Sequence, residues 1–437
     1  MTTTTTPKDP KKNAAKTLPS RAAIMAKANA GILKHTKQKP LQPSDKQVPH
    51  ISTGSLSVDY LIGGSPAKNG EPICPGFPRR RITEVFGPES SGKTTLLLSA
   101  IVQAQRAGGC AFFIDFEHSL DHNYAKKVGV SYAEDKLSVF QPDTLEEGLK
   151  MIAIGIAYGV DLIGVDSVAA MVPKAELEKS FDEEARVGIL AKAMSQALPK
   201  MVIWLQKHPM IEGKTDPKHP GTALVLLNQE RALINTGGGG HGGDVNTAGG
   251  KALKFYAYMR LMMNRIKSEF IERRDKLTGK PKRFAYGNVT NVKVVKSKVD
   301  AKQGHSASVF IRYGFGIDDY YSIVETGVAN KIIKKDGTYY AFGGERFQGK
   351  DKFRQYLIAN PKVYDDLRAK ILVAIMDSAV TAVDDDQLDP EDELVELAGD
   401  LDDLDEAMTQ AIPTEVIEDE TAEIEEGTPE ADGTPEA

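Results

Sequence analysis

The 437-residue sequence contains only two cysteines, Cys74 and Cys110. Two cysteines cannot form a disulfide framework, and these two lack the repeated close spacing of a zinc site. The N-terminal threonines, lysines and prolines also provide no apolar core of the kind that a secretory signal requires. These absences predict an intracellular, cytoplasmic protein kept in a reducing environment.

Long uninterrupted apolar runs are absent as well. The most apolar stretch, residues 151–172, contains Asp161, Asp166 and internal glycines. It therefore predicts a buried helix followed by a buried strand and not a membrane span. With 41% hydrophobic and 27% charged residues and no visible internal repeat, the composition excludes collagen-like, fully disordered and multi-span membrane proteins.

Basic residues are missing from the end of the chain. Residues 384–437 contain 23 Asp and Glu residues and no Lys or Arg. The rest of the chain holds the other 38 acidic residues together with all 55 Lys and Arg residues, so it carries a net charge of +17. A basic body with an acidic tail indicates a polyanionic partner and a built-in competitor for that partner.

Composition and hydrophobic periodicity divide the chain into four segments. Residues 1–50 predict a flexible basic arm, in which residues 21–35 form either a docking helix for a neighbouring molecule or disordered chain. In residues 51–308, short β-branched and aromatic runs alternate with helical stretches, which predicts an α/β core with a central, mostly parallel sheet. Residues 309–380 predict a small α+β domain, and residues 381–437 predict an acidic disordered tail.

The same patterns predict individual elements. The predicted core strands are RITEVF, CAFFID, KLSVFQ, DLIGVDS and ALVLLNQ, with NVTNVKVVKSKV and SASVFIRYG as an antiparallel extension of the sheet. The predicted helices cover residues 93–106, 123–128, 144–158 and 187–206 in the core and residues 351–360 and 363–376 near the C-terminus. The glycine- and proline-rich segments 63–78, 207–221 and 237–250 predict loops.

Residues 87–94, GPESSGKT, match the phosphate-binding pattern G-x-x-x-x-G-K-[ST]. The match follows a predicted strand and opens a predicted helix, as the motif requires. Its glycines allow backbone N–H groups to surround phosphates, and the helix N-terminus adds positive partial charge. The motif predicts ATP and Mg²⁺ as cofactors, with Lys93 on the β- and γ-phosphates and the Thr94 hydroxyl on the metal. The predicted nucleotide contacts in the loop are Gly87, Pro88, Glu89, Ser90, Ser91, Gly92, Lys93, Thr94 and Thr95.

Polar side chains follow three other predicted strands. Asp166 ends DLIGVDS, where it either caps the next helix or, beside a phosphate loop, holds a Mg²⁺ ion. Glu117 follows CAFFID, where a carboxylate is able to orient and deprotonate an attacking water. Asn228 and Gln229 end ALVLLNQ, at a position suited to sensing a γ-phosphate.

Several longer runs resemble the bacterial RecA recombinase family. GPESSGKTTL, FIDFEHSLD, VDSVAAMVPKAELE, AKAMSQAL, GGKALKFYAYMR and VKVVKSKV occur in this order, and the resemblance spans about residues 51–376. It implies a RecA-type P-loop ATPase that is stimulated by DNA and forms filaments on single-stranded DNA. Such an enzyme pairs the bound strand with a homologous duplex and exchanges strands in recombination and DNA repair.

The resemblance also implies roles for individual residues. Glu117 matches the catalytic glutamate of the family, and Gln229 matches the glutamine that couples nucleotide to DNA. Tyr124 matches an aromatic residue that stacks on adenine, and Asp121 lies near it in the sequence.

Three residues match the subunit interface of the family. Lys296 and Lys298 match a lysine pair that reaches the γ-phosphate held by a neighbouring subunit. Phe255 resembles an interface residue that relays the nucleotide state. Without the resemblance, the two lysines would be interpreted as part of an exposed strand face.

Two segments correspond to DNA-binding loops in the family, residues 178–188 and residues 231–251. Flexible, glycine-rich backbone allows N–H groups to approach phosphates, and basic side chains supply charge. The predicted DNA contacts are Arg186, Arg231, Gly249, Gly250 and Lys251. The second loop is richer in glycine than the family pattern, and residues 63–78 and 207–221 look like insertions.

The sequence therefore predicts an ATP-dependent, filament-forming homologous recombinase that binds single- and double-stranded DNA and no membrane. One alternative is a RecA-like DNA motor or helicase-loading ATPase, which would form a ring and act on a forked duplex. A second alternative is a DNA-coating scaffold that assembles with nucleotide but exchanges few strands.

Overall fold

The computed structural model describes residues 20–37, 39–40, 48–63, 74–178, 188–211, 214–231, 246–274, 280–299 and 303–384. The chain divides into two units, Met1–Met376 and Asp377–Ala437, and the central sheet and the helices that cover it belong to the first unit. Several predictions lie outside the described residues: those on Arg186, on residues 232–245 of the second DNA loop, on residues 1–19 of the arm and on residues 385–437 of the tail.

The helices and strands follow the chain in this order. The α-helices are α1 (Arg21–Thr36), α2 (Leu56–Ile62), α3 (Lys93–Arg106), α4 (His122–Val128), α5 (Leu145–Ala157), α6 (Lys174–Leu177), α7 (Ile189–Gln206), α8 (Gly250–Tyr256), α9 (Asp319–Ala329), α10 (Lys350–Ala359) and α11 (Pro361–Asp384). The strands are β1 (His50–Ile51), β2 (Phe77–Pro78), β3 (Ile82–Gly87), β4 (Ala111–Asp115), β5 (Leu137–Phe140), β6 (Leu162–Asp166), β7 (Met210–Ile211), β8 (Lys214–Thr215), β9 (Ala223–Arg231), β10 (Asn246–Thr247), β11 (Met259–Arg274), β12 (Pro281–Ser297), β13 (Ser306–Arg312), β14 (Gly316–Ile317), β15 (Lys334–Asp336), β16 (Tyr339–Phe342) and β17 (Glu345–Gln348).

One large sheet organises the core, with strand order β14-β13-β12-β11-β3-β9-β6-β4-β5. The six strands from β11 to β5 in that order run parallel to one another. β12, β13 and β14 continue the sheet with antiparallel pairings, and β10 pairs antiparallel with the end of β9. The predicted mostly parallel sheet with an antiparallel extension is confirmed.

The central strands are buried on both faces because helices cover each side. Along β9, Val225 and Leu227 belong to the hydrophobic cluster that contains the inner face of α3. Leu224 and Leu226 belong to a second cluster, which contains side chains of α5 and α7. Alternate side chains of a strand point to opposite faces, so a continuous apolar run serves both clusters. This explains why β6 and the first half of β9 appear in the sequence as uninterrupted apolar segments.

A smaller α+β region follows the core, as the sequence predicts. β15, β16 and β17 form an antiparallel sheet. Side chains of α9, α10 and α11 share one buried cluster with Tyr340 and Phe342 of β16, and Phe353 and Leu357 are fully buried within it. Leu56 of α2 packs in the same cluster.

Strand β11 is the main element that the sequence pattern does not reveal. Its sequence, MRLMMNRIKSEFIERR, is rich in Met, Leu, Glu, Lys and Arg, which have good helix propensity. Pairing with β3 on one side and β12 on the other overrides that propensity. Residues 207–221, predicted as a loop, also contain the short β7–β8 pair, and Phe77–Pro78 pairs with β1.

Candidate nucleotide-binding site

The predicted phosphate loop connects the C-terminal end of β3 to the N-terminus of α3. Gly87 has φ of 153°, and a Cβ atom there would lie 2.1 Å from the backbone oxygen of Met263. Gly92 precedes α3 with φ of 95° in the left-handed region, which favours glycine. At both glycine positions of the motif, the backbone therefore disfavours any residue that has a Cβ atom.

The loop borders a cavity of about 460 Å³. Most predicted nucleotide, metal and catalytic residues line it together: Glu89, Ser90, Gly92, Lys93, Thr94, Thr95, Glu117, Tyr124, Asp166 and Gln229. β3, β4, β6 and β9 are neighbours in the sheet, so their C-terminal ends bring these side chains to one edge. The cavity therefore lies where parallel α/β sheets commonly bind their ligands.

Lys93 and Asp166 hold opposite charges inside this cavity. The Lys93 Nζ atom donates hydrogen bonds to the carbonyl oxygens of Gly87 at 3.0 Å and Pro88 at 2.8 Å. Burial lowers the pKa of Lys93, although the nearby carboxylates of Asp166 and Glu117 oppose that shift. The Thr94 hydroxyl donates to Asp166 Oδ2 at 2.7 Å. Burial is the largest effect on Asp166 and raises its pKa to about 6.

Glu117 accepts two hydrogen bonds through one carboxylate oxygen. Gln229 Nε2 donates to Glu117 Oε1 at 3.1 Å, and the Ser167 hydroxyl donates to the same oxygen. Three neighbouring strands thus contribute, since Glu117 follows β4, Ser167 follows β6 and Gln229 lies on β9. The two donors fix the orientation of the carboxylate.

Two residues, Tyr124 and Asp121, are predicted to lie near the adenine base, and the structure places them differently. The Tyr124 hydroxyl lies 2.9 Å from the Thr95 hydroxyl, and the Tyr124 side chain lines the cavity. Asp121 is not among the described lining residues. Its carboxylate instead caps α4 by accepting from the backbone N–H groups of Asn123 and Tyr124 at 2.8 and 3.0 Å.

Ser91 and Asn228 of the predicted set are buried and are not among the cavity-lining residues. The Ser91 carbonyl oxygen accepts a hydrogen bond from the Thr290 hydroxyl. Asn228 is fully buried and bonds to Glu84 and to the Ala248 carbonyl oxygen, so of the Asn228–Gln229 pair only Gln229 lines the cavity.

Five further lining residues were not predicted from the sequence: Arg265, Asn288, Ile311, Tyr313 and Gly314. They belong to β11, β12 and β13 or follow β13 directly. They reach the cavity because β11 pairs with β3, a neighbour relation that cannot be read from local periodicity. Asn288 Oδ1 is buried and has no hydrogen-bond partner among the described residues.

The backbones of Lys296 and Lys298 are displaced from the phosphate loop along the strands, toward the N-terminal end of β3. Lys296 pairs with Arg260 in the register of β12 and β11, and Arg260 pairs with Glu84. The Lys298 N–H bonds to Tyr258, whose own N–H bonds to Ile82 at the start of β3. Gly87 comes five residues after Ile82 on β3, so the Lys298 backbone lies about 16 Å from the phosphate loop, measured along the strands.

Several of the residues predicted to contact DNA or a neighbouring subunit lie on α8 or directly before it. Phe255 is 70% exposed on this helix. Gly249 precedes α8 with φ of 87°, and Gly250 and the exposed Lys251 form its first turn. Arg231 ends β9, and its side chain lies outside the described part of the chain.

A buried strand, a glycine-bounded loop, a helix that begins at lysine, and an acid on a nearby parallel strand define a P-loop nucleoside triphosphatase. Comparison with protein families narrows this class. The RecA N-terminal domain model matches residues 29–318, and the RecA C-terminal domain model matches residues 321–376. The chain belongs to the RecA recombinase family, which functions in homologous recombination and DNA repair.

Individual relatives support this membership over most of the chain. Protein RecA of Leifsonia xyli subsp. xyli is 41% identical over 336 residues, which cover 76% of this chain and 83% of that protein. Protein RecA of Corynebacterium glutamicum strain R is 41% identical over 363 residues, 83% of this chain and 85% of that protein. Protein RecA of Acidothermus cellulolyticus is 42% identical over 323 residues, 74% and 82% respectively. Within the described residues, every helix is too short or too polar to cross a lipid bilayer.

Proposed function

We propose that this protein is an ATP-dependent homologous recombinase, which forms filaments on single-stranded DNA and exchanges strands with a homologous duplex. The observation that carries the proposal is the position of Gln229. Its side chain bonds to Glu117 in the cavity, and its strand leads two residues later into the glycine-rich segment predicted to bind DNA. A movement of Gln229 that depends on bound nucleotide would therefore be transmitted through only two residues of backbone to the segment predicted to bind DNA.

ATP and Mg²⁺ fit the residues of the cavity. The hydroxyl of Thr94 and the carboxylate of Asp166 lie 2.7 Å apart, and such oxygen atoms are the ligands that Mg²⁺ prefers. Bound Mg²⁺ would supply charge neutralisation at the phosphates. Lys93 would exchange its two loop carbonyls for phosphate oxygens, since an ammonium group interacts more strongly with an anion than with a neutral carbonyl.

Glu117 would act on the attacking water as general base or orienting group. Its Oε1 atom is engaged by Ser167 and Gln229, so Oε2 is the oxygen we assign to the water. Tyr124, with Asp121 at the start of the same helix, would contact the base of the nucleotide.

DNA would bind through the start of α8 and the two loops. Gly249 and Gly250 allow close approach of the backbone to phosphates, and Lys251 adds charge. Arg186 and Arg231 would add further phosphate contacts, so we expect binding to weaken steeply with salt. The DNA substrates would lie in the cytoplasm, where we expect the protein to act.

Lys296 and Lys298 would serve the nucleotide of a neighbouring subunit in a homo-oligomeric filament. The position of the Lys298 backbone, level with Ile82 at the start of β3 and away from the phosphate loop of its own chain, supports this assignment. We also propose functional boundaries at residues 51–308 for the ATPase core, 309–380 for the small domain and 381–437 for the tail.

Electron microscopy of the protein on single-stranded DNA with a slowly hydrolysed ATP analogue tests the proposal. We expect an open helical filament, and we expect the same preparation to exchange strands when ATP is supplied. Closed rings that unwind a forked duplex would instead indicate a motor or helicase loader. Nucleotide-dependent coating of DNA without strand exchange would indicate a scaffold.

A further inference from the structure

Three buried polar side chains connect the sheet beneath the nucleotide cavity. Arg260 Nε donates to Glu84 Oε2 at 2.5 Å, and Asn228 Nδ2 donates to Glu84 Oε1 at 2.9 Å. Arg260 lies opposite Glu84 in the register of β11 and β3, and Asn228 lies opposite Phe86 in the register of β9 and β3. Residues two apart on a strand share a face, so the three side chains meet. We call Glu84, Asn228 and Arg260 the buried triad.

The amide of Asn228 has a single orientation that satisfies its surroundings. Its Nδ2 atom donates to Glu84 Oε1 and to the Ala248 carbonyl oxygen, each at 2.9 Å. Its Oδ1 atom accepts from the backbone N–H of Gln229, also at 2.9 Å. Both amide hydrogens and the carbonyl oxygen are therefore used. A reversed amide would place its oxygen against a carboxylate and a carbonyl oxygen, which is electrostatically unfavourable.

Asn228 thereby joins the cavity to the start of α8. Gln229 contacts Glu117 at 3.1 Å, while Ala248 directly precedes Gly249 and Gly250, where α8 begins. The far end of α8 is also held from the same region of the sheet. Lys296, which lies opposite Arg260, donates to the carbonyl oxygens of Lys254 and Phe255 at 2.6 and 3.0 Å.

Stability alone is a poor explanation for the triad. A buried ion pair is often no more stabilising than apolar residues of similar volume. Arg260 Nη2 is also buried without a hydrogen-bond partner among the residues that the structure describes, and such a group costs free energy. Arg260 does pack on the Phe86 ring at 4.5 Å, a contact that an apolar side chain would also make.

We propose that Asn228 is a positioning residue, oriented by the Glu84–Arg260 ion pair, which couples Gln229 in the nucleotide cavity to the DNA-binding start of α8. The inference rests on the proposed function, because it assumes that nucleotide in the cavity raises DNA affinity. Asn228 acts through Gln229 and Ala248 and does not itself contact nucleotide. Loss of its amide donors should uncouple the two sites while each still binds its ligand.

The first test replaces the amide by a carboxylate of the same size. Asn228→Asp removes both Nδ2 donors and places a second acid beside Glu84. The readouts are the affinity for a fluorescent single-stranded oligonucleotide with and without a slowly hydrolysed ATP analogue, and the affinity for that analogue alone. Allosteric coupling typically amounts to about 5–150-fold, and we expect the nucleotide-dependent gain in DNA affinity to fall at least about tenfold. We expect the affinity for the analogue to change less than about threefold, because Asn228 does not line the cavity.

The second test avoids a buried uncompensated charge, which could prevent folding of the first variant. Glu84→Leu combined with Arg260→Met replaces the ion pair by apolar side chains and leaves Asn228 without its carboxylate partner. We expect thermal unfolding close to that of the wild type, together with the same loss of coupling. Asp161→Asn is the matched control, because it breaks the Arg79–Asp161 ion pair, 2.8 Å long and also largely buried, at a distance from the cavity.

The outcomes separate this inference from the proposed function. If the DNA affinity of the wild-type protein is the same with and without the ATP analogue, the proposed function itself is contradicted. A wild type that responds, combined with a double variant that responds equally, would overturn the role of the triad. Loss of coupling to the same extent in Asp161→Asn would show a general effect of destabilisation and would also overturn it.

Discussion

At the scale of single residues, one substitution can remove the negative charge of Glu117 and keep its hydrogen bonds. Glu117→Gln keeps an oxygen able to accept from Ser167 and Gln229 but removes the negative charge that we propose activates the water. We expect turnover to fall roughly a hundredfold or more, while nucleotide binding and assembly on DNA persist. Steady-state ATPase assays and DNA sedimentation measure the two effects.

Two further variants serve as controls for Glu117→Gln. Glu134→Gln changes an exposed carboxylate outside the cavity, and we expect its turnover to match that of the wild type. Lys93→Ala should lose nucleotide binding and hydrolysis together, because the ammonium group is the principal positive charge at the loop. Full ATPase activity in Glu117→Gln would show that another group activates the water.

Asp59 is a buried acid that should make stability depend on pH. It accepts hydrogen bonds from Ser52 and Thr53, and burial, the largest effect, raises its pKa to about 7 from 3.8. The charge of Asp319 adds to this increase. The folded state therefore favours the protonated acid, while the unfolded state ionises near its ordinary pKa. The contribution of Asp59 to stability is present below about pH 4 and is lost as the pH rises to about 7.

Asp59→Asn tests this prediction because the amide resembles the neutral acid. Relative to the variant, the wild type should lose stability between about pH 4 and pH 7, by at most about 4 kcal/mol, and show no further change above that range. Denaturation midpoints for both proteins across the pH range measure the difference. The exposed Asp143→Asn serves as the control, and parallel curves for wild type and Asp59→Asn would contradict the assignment.

At the scale of elements, the phosphate loop depends on a close backbone approach between two strands. Gly87→Ala would place Cβ at 2.1 Å from the Met263 carbonyl oxygen, an atom of the β11 backbone. We expect a loss of stability of roughly 3 kcal/mol or more, together with loss of nucleotide binding, as measured by thermal unfolding and nucleotide titration.

Gly108→Ala provides the matched comparison. Gly108 also has a positive φ, 86°, but a Cβ there meets nothing within 4 Å. We expect a cost of only about 1 kcal/mol from the backbone conformation and normal nucleotide binding. Equal effects of the two substitutions would mean that backbone strain, and not the contact with β11, determines the requirement for Gly87.

The same contact shows what the sequence could and could not predict. The motif from Gly87 to Thr94 and the strand ends at Glu117, Asp166 and Gln229 were predicted from local patterns, since apolar runs and terminal polar residues are neighbours in the chain. Helix α3 has the predicted bounds, Lys93–Arg106. Such features depend on residues that are close in sequence.

The remaining parts of the site depend on pairing between distant segments. Arg265, Asn288 and Tyr313 line the cavity because β11 pairs with β3 and because β12 and β13 follow in the sheet. β11 has helix-forming composition, so local propensity pointed away from the strand that tertiary pairing produces. The burial of Asn228 and the contact of Gln229 with the cavity likewise depend on the pairing of β9 with β3 and cannot be read from the local sequence.

At the scale of the whole molecule, the separation of Lys298 from its own phosphate loop predicts a shared active site. Lys93→Ala alone should be inactive, and so should the Lys296→Ala/Lys298→Ala double variant. Mixing the two should restore part of the ATPase activity, because some junctions then combine an intact loop with intact lysines. ATPase assays over a range of mixing ratios measure the recovery.

Lys298→Ala alone provides a cleaner partner for this mixture. The Lys298 side chain is exposed, whereas Lys296 also donates hydrogen bonds to the carbonyl oxygens of Lys254 and Phe255 in α8. Removing Lys296 would therefore also remove contacts that hold this helix. If mixed filaments form with either lysine variant and hydrolysis never recovers, each subunit must complete its own site.

The charge distribution along the whole sequence predicts that the acidic tail inhibits DNA binding. Residues 384–437, with 23 acids and no Lys or Arg, should compete with DNA for the basic body, and salt or Mg²⁺ should weaken that competition. Deleting them should raise the affinity for duplex DNA, most strongly at low salt. DNA-binding titrations across a salt and Mg²⁺ series measure this effect.

A second tail variant separates charge from length. Replacing the tail acids by Asn and Gln keeps the length of the segment and removes its charge, so it should bind DNA as tightly as the truncated protein. Binding curves that superimpose for all three proteins would show that the tail only affects solubility.

A lysine pair that serves the phosphate loop of the next subunit would also give the assembly a direction. A contact between one surface of a subunit and a different surface of the next subunit is called heterologous. Such contacts repeat along an open chain unless the rotation between subunits closes a ring. Under the shared-site proposal, an open chain would have one fewer complete active site than it has subunits, because the loop of one terminal subunit would meet no lysines. Hydrolysis per subunit should consequently rise with chain length, and the two ends should grow and dissociate at different rates.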